Sequence, residues 1–175
     1  MATRNILKDG ERGLDKKSRV VTDFNNRLHI LLDDMRETLI EANGLGLAAP
    51  QVGVLRRVAL IVESDEESES LEEQIIELIN PEIINSEGEL SASEGCLSVP
   101  GVYGMVTRPE SVIVRAQDRY GKTFEFEGLD LTARAVCHEI DHLDGVLFTS
   151  VAERLLTEEE MEELRAQNRE NEEKE

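Results

Sequence analysis

Two histidines four residues apart, in His138-Glu139-Ile140-Asp141-His142, constrain the chain around them more than any other feature of the sequence. Val136, Ile140 and Leu143 repeat at helical spacing through the same stretch, so a helix is expected from about Thr132 to Leu143, with Gly145 able to end it. Four residues advance a helix by ~400° and ~6 Å, so both imidazoles leave one face and can reach a single cation. The apolar stripe occupies other positions, leaving His138 and His142 on a face shared with Leu131 and Ala135, small or apolar neighbours suited to a pocket wall. Glu139 stands beside the first histidine, where a carboxylate can take the proton of a water that the ion has acidified. The plain alternative is a helix surface decorated with two histidines and a glutamate.

Two histidines leave a catalytic metal site incomplete, because such sites take three protein ligands and keep one position open. Cys96 is on offer in Glu94-Gly95-Cys96-Leu97-Ser98, where Gly95 permits close backbone approach and no apolar periodicity asks for a buried thiol. A lone cysteine is more often an inert core residue. Cys137, about 100° around the helix from its histidine neighbour, fits that role better. Two cysteines are too few for a disulfide framework. A third segment, Gly44-Leu45-Gly46-Leu47-Ala48-Ala49-Pro50-Gln51-Val52-Gly53, can be read as tight backbone packing alone. It is not a phosphate loop, since no Lys-Ser/Thr ending and no helix pattern follow it.

Elsewhere the period changes along the chain. Phe24, Leu28, Leu31, Leu32, Met35 and Leu39 mark an amphipathic helix over Phe24 to Ile40 that Asn43-Gly44 would stop, with Asn25, His29 and Asp33 on its polar side and His29 read as a surface residue. Strands are expected at Arg57 to Val62, in two pieces around Pro81 (Ile75 to Ile79 and Glu82 to Asn85), and at Ser111 to Gln117 and Lys122 to Glu127 joined by the turn Asp118 to Gly121. Thr157 and Glu160 form a capping box for a last helix, with Leu156 and Met161 placed as its hydrophobic staple. Strand runs broken by a few helices, without βαβ alternation, indicate α+β. The 175 residues suit one catalytic domain over 1–155, followed by an acidic helical tail at 156–175 whose later turns fray.

The formal charge of -19 is concentrated: residues 63–74 hold seven acids and no base, and Leu156 to Glu175 hold nine acids against three bases. Such appendages are solvated faces or solubilising tails and argue against autonomous nucleic-acid binding. Met1 to Gly10 lacks an apolar run, and no stretch approaches the ~20 apolar residues of a membrane span. A soluble, cytoplasmic protein without membrane contact is expected.

Taken in order, GLGLAAPQVG, EGCLS and HEIDHLDG resemble the three motifs of the peptide deformylase family, and the similarity extends from roughly Ile6 to Val151. The resemblance implies an α+β fold of small antiparallel or mixed sheets packed around the central HExxH helix, with N-terminal and C-terminal helices. It implies hydrolysis of the N-formyl group of N-formylmethionyl nascent polypeptides, releasing formate and a free N-terminal methionine. Carried over residue by residue, Cys96, His138 and His142 match metal ligands and Glu139 matches the general acid/base. Gln51 and the backbone N–H of Leu97 match the donors to the developing oxyanion. Glu94 and Arg108 match a supporting ion pair. Gly44, Leu45, Gly46, Gly95, Gly101, Leu131 and Ala135 are expected to bind substrate, the methionine side chain in an apolar pocket and the peptide backbone along a strand edge. Ferrous iron is the implied physiological ion, with nickel, cobalt or zinc able to occupy the purified protein. Nascent chains at the ribosome are the implied source of substrate.

The match is not uniform. The family's Asp-Pro-x-Leu-Arg element corresponds here to Glu11-Arg12-Gly13-Leu14-Asp15, where only Leu14 is kept, and Cys137 replaces a frequent glutamine. The acidic tail also differs from the basic extension with which some relatives dock on the ribosome. Three other readings stand beside this one: an HExxH peptidase, a thiol hydrolase with Cys96 as nucleophile, and a metal-binding protein without activity.

Overall fold

The computed structural model describes residues 2–63, 70 and 74–172, so the acidic segment at 63–74 falls almost wholly outside the described residues. Helix α1 (Asn26–Ala42) starts two residues after its apolar repeat, because the Asn25 side chain accepts from the backbone N–H groups of Arg27 and Leu28 at 3.0 and 3.3 Å. It stops at Asn43, which adopts the left-handed conformation with φ of 50°. His29 is half-buried and tethered: its Nε2 lies 2.8 Å from the carbonyl oxygen of Arg119, and its ring meets Tyr120 edge-on.

The strands are β1 (Gly46–Ala48), β2 (Val58–Val62), β3 (Ile75–Glu87), β4 (Leu90–Cys96), β5 (Val99–Arg108), β6 (Ser111–Gln117), β7 (Thr123–Leu129) and β8 (Arg154–Leu156). Two antiparallel sheets result, one ordered β1-β2-β3-β6-β7 and one ordered β4-β5-β8. β2 is buried at every residue, which is why it reads as an unbroken apolar run rather than an alternation. Val58, Leu60 and Val62 pack with the apolar face of α1, while Ala59 and Ile61 pack on the opposite side.

Pro81 does not split the second strand. β3 runs through it because the register shifts between Ile79 and Glu82, and the bulge accepts a residue with no N–H to donate. Asn80 carries the local bend at φ of 52°, and its side chain bonds Val21 and Gln117. The β6–β7 turn forms around Asp118, whose carboxylate accepts from the N–H groups of Tyr120 and Lys122, both at 2.9 Å.

Helix α2 (Asp130–Leu143) lies on the far side of the large sheet from α1, with Ala133, Val136, Cys137 and Leu143 against Ala59, Ile61, Leu78, Val112 and Val114. Burial extends well beyond the expected stripe: every residue from Thr132 to Cys137 is buried, including Arg134. The small sheet and α3 (Phe148–Val151) account for the difference, since Phe148 packs with Val99 and Val106 and stacks on the His138 ring. The N-terminal segment closes over the end of α2 through Ser18 N–H to the Leu143 carbonyl at 2.8 Å. Gly145 sits there at φ of 76°, and a Cβ on it would come within 2.7 Å of the Asp15 backbone. Helix α4 (Glu158–Glu172) opens on a reciprocal cap, Thr157 N–H to Glu160 and Glu160 N–H to the Thr157 hydroxyl at 2.9 and 3.2 Å. Among the described residues, no helix is long and apolar enough to cross a membrane.

Candidate metal centre and active site

Three pieces of chain converge beside α2. β4 ends on Cys96, α2 presents His138, Glu139 and His142, and the short 3-10 helix Ala49–Val52 carries Gln51. Cys96 pairs with Val99 across the β4–β5 hairpin, so Leu97 and Ser98 form its tip. One donor atom each from Cys96, His138 and His142 lies within 4.8 Å of the others, and Cys96 Sγ is 3.3 Å from His142 Nε2.

The orientation of His138 is set from behind. Its Nδ1 is 3.0 Å from Glu94 Oε2, and because a carboxylate can only accept, Nδ1 carries a proton and Nε2 is the nitrogen left to offer a lone pair once the ring is neutral. Glu94 is itself held by two buried guanidinium groups. Arg108 bonds both its oxygens at 2.9 and 3.1 Å, and Arg134 bonds Oε1 at 2.9 Å. Arg108 also reaches Asp141 at 2.7 Å, and Arg134 reaches the carbonyls of Val106 and Leu90. Burial alone would raise the Glu94 pKa, but hydrogen bonds from His138 and Arg108 outweigh it and hold the carboxyl at about 2.

The two histidines are driven apart electrically. Burial opposes charge on His138, yet hydrogen bonds to Cys96 and Glu94 raise it to about 10; burial and the neighbouring His138 charge lower His142 to about 3. The metal-free site therefore keeps a positive charge at His138, where a cation would supply one. Together with a thiol and two imidazoles, and with His142 Nδ1 and Glu139 Oε2 buried without hydrogen-bond partners among the described residues, the donor chemistry fits a divalent transition metal. In chelator-stripped protein at pH 8, imidazole NMR should find His138 charged and His142 neutral, and metal uptake should return His138 to the neutral form. A neutral His138 before loading would contradict this electrostatic reading.

Glu139 is buried, and burial pushes its carboxyl up to about 7 against the pull of the His138 charge. It lies directly against Gly46: a Cβ there would come within 2.8 Å of both Cγ and Cδ of Glu139. Gly46→Ala should thus displace the carboxylate and slow turnover by about a hundredfold, the scale of a ~1 Å misplacement, with a near-normal melting temperature. Normal turnover would mean that the carboxylate has room to spare.

Gln51 is pinned by its Oε1, which accepts from Ala48 N–H at 2.8 Å, and its Nε2 donates to Ser98 Oγ at 3.1 Å while lying 3.6 Å from Cys96 Sγ. A cavity of about 600 Å³ opens over these groups. Gly44, Leu45, Gly46, Gly95, Gly101, Leu131 and Ala135 all line it, as do Gln51, Glu94, Cys96, Leu97, His138 and Glu139. Leu45 and Leu131 are about half exposed at 49% and 46%, an apolar rim facing open space. Tyr103 forms another wall, and a Cβ on Gly95 would lie 2.7 Å from its ring.

Arg134, Ser98, Asp141 and Tyr103 were not singled out from the sequence. Arg134 had a readable signal: it lies four residues before His138 and so shares its helix face. Ser98 and Tyr103 had none, since their roles depend on the β4–β5 pairing.

An α+β scaffold that holds a Cys/His/His set beside a buried glutamate in an open cavity defines a metal-dependent hydrolase. The family model for polypeptide deformylase matches residues 3–158. The peptide deformylase of Caldicellulosiruptor bescii is 53% identical over 166 residues, covering 95% of each chain. Among solved structures, a peptide deformylase from Legionella pneumophila superposes with a TM-score of 0.79 at 41% identity, covering 94% of this chain and 92% of that one. A Met-Ala-Ser-bound peptide deformylase from Acinetobacter baumannii gives a TM-score of 0.78 at 33% identity, covering 86% and 98%. The chain belongs to the polypeptide deformylase family, hydrolases that remove the N-formyl group from nascent polypeptides.

Proposed function

We propose that Cys96, His138 and His142 hold the metal of this deformylase, that Glu139 is its general acid and base, and that Gln51 and the Leu97 N–H receive the oxyanion. When bound, a divalent ion acidifies water and polarises the formyl carbonyl. Glu139 takes the proton of the attacking water at its unpaired Oε2 and later delivers it to the departing amine. With its oxygen held by Ala48 N–H, Gln51 keeps Nε2 beside Cys96 Sγ and Ser98 Oγ, and from there Nε2 donates to the formyl oxygen as charge grows on it. The Glu94 carboxylate, flanked by Arg108 and Arg134, holds His138 in one tautomer throughout.

The formyl carbon bears only hydrogen, so a site walled by Gly46, Gln51 and the Cys96 hairpin admits it more easily than an internal peptide carbonyl. Leu45, Leu131 and Ala135 supply the apolar surface for the methionine side chain, and Gly44, Gly46, Gly95 and Gly101 line the cavity in which the peptide backbone lies, with open space beside Gly101. The relative crystallised with Met-Ala-Ser supports a peptide of this kind as ligand. Ferrous iron is the proposed physiological ion; zinc, nickel and cobalt suit the same donors. Bacterial relatives support a cytoplasmic enzyme acting on chains as they leave the ribosome.

The juxtaposition of the three donors with the buried Glu139 carries this reading. Its test is formate release from a formyl-Met tripeptide under anaerobic conditions, with ferrous iron or nickel added back after chelation. Metal-dependent formate is expected. Turnover that survives full chelation would favour Cys96 as a nucleophile, and folded, metal-loaded protein that releases no formate would remove the assignment.

A further inference from the structure

The β4–β5 hairpin tip at Leu97-Ser98 is gripped by a segment far away in sequence. Asp9 N–H donates to the Ser98 carbonyl at 2.8 Å, and Leu7 N–H donates to the Gln51 carbonyl at 2.8 Å. Between them, Lys8 Nζ donates to the Leu97 carbonyl at 2.8 Å. Residues 7–9 thus form a strap across the two segments proposed to carry the oxyanion donors. A backbone N–H lies in the plane of the preceding residue's carbonyl, and at a hairpin tip that plane can rotate only as far as the plane following it gives way. Ser98 is held by Asp9 N–H at its carbonyl and by Gln51 at its hydroxyl. For the Leu97 carbonyl, the ammonium of Lys8 is the donor.

We infer that Lys8 is a positioning residue for deformylation: its ammonium holds the Leu97–Ser98 peptide plane, which adjoins the Cys96–Leu97 plane at the Leu97 Cα, and so restricts the backbone rotation that would turn the Leu97 N–H away. This rests on the oxyanion role proposed above for Leu97. Lys8 also lines the cavity and is exposed, so a direct contact with substrate is the competing role. The two roles differ in what they change. A positioning residue acts on the transition state and moves kcat, whereas a contact made equally in ground and transition states moves KM.

The test compares wild-type, Lys8→Met and Lys8→Arg enzymes loaded with nickel, on a formyl-Met tripeptide, together with amide hydrogen exchange at Leu97 and Ser98 in the same proteins. Lys8→Met keeps the aliphatic stem and removes only the donor. We expect kcat to fall about tenfold with KM within twofold, faster exchange at Ser98 and Leu97, unchanged metal content, and recovery of most of the rate in Lys8→Arg. An unchanged kcat, or a raised KM with kcat intact, overturns the positioning role while leaving the deformylase reading in place. No formate from the wild-type enzyme would instead strike the deformylase reading itself, and the role of Lys8 with it.

Discussion

Glu139→Gln should abolish nearly all formate release, lowering the rate by about a hundred- to ten-thousandfold, the usual worth of a positioned general acid–base. The substitution keeps the shape that Gly46 accommodates and the donor atoms of Cys96, His138 and His142, so metal content should match the wild-type protein. It also removes a buried carboxylate whose Oε2 has no hydrogen-bond partner among the described residues, so the melting temperature should hold or rise. The three measurements belong together. Lost activity with lost metal would place Glu139 among the groups that support binding, and retained activity would remove it from the chemistry.

Glu94→Ala should have the largest effect on stability of any single change near the site. It would leave the guanidinium groups of Arg108 and Arg134, both buried, facing each other without their shared anion. Removing one partner of a buried charge cluster costs about 3–5 kcal/mol, read as a large fall in denaturation midpoint. Metal affinity should fall too, because His138 Nδ1 would lose its acceptor. The pH dependence carries the same signature. A carboxylate whose folded pKa is depressed, here from 4.5 to about 2, contributes its stability above the unfolded value and loses it as pH falls through the folded one. Acid unfolding of the wild-type protein should therefore sharpen as pH drops from about 4.5 toward 2, and Glu94→Ala should lack that limb. A variant with wild-type stability would show that the two arginines find other partners.

What could be read from the sequence follows from the range of the forces involved. α1, α2 and the β6–β7 hairpin are set by local periodicity, by the side chains of Asn25 and Asp118 and by the left-handed backbone of Asn43, and they stand within a residue or two of where the pattern put them. β4 and β5 were illegible: Ser-Ala-Ser-Glu-Gly-Cys and Val-Pro-Gly-Val-Tyr-Gly show little alternation, because these strands line a cavity and not a uniform core. Pro81 suggested a break that the bulge absorbs. Cys96, His138, His142, Glu139 and Gln51 were legible as a group through motif order. Their supports were less so, since a charged residue such as Arg134 in the middle of a helix reads as solvated until the carbonyls of Leu90 and Val106 arrive from elsewhere in the chain.

The wide separation of the site's contributors has a kinetic consequence. Gln51, Cys96 and His138 meet only when the 3-10 helix Ala49–Val52, β4 and α2 have all docked, so the donors come together through long loop closures that must be completed before any contact rewards them. An ion then has little to grip in the unfolded chain beyond scattered thiol and imidazole groups, and it cannot template the early steps. Loading should follow folding, and the ion should slow unfolding far more than it speeds refolding.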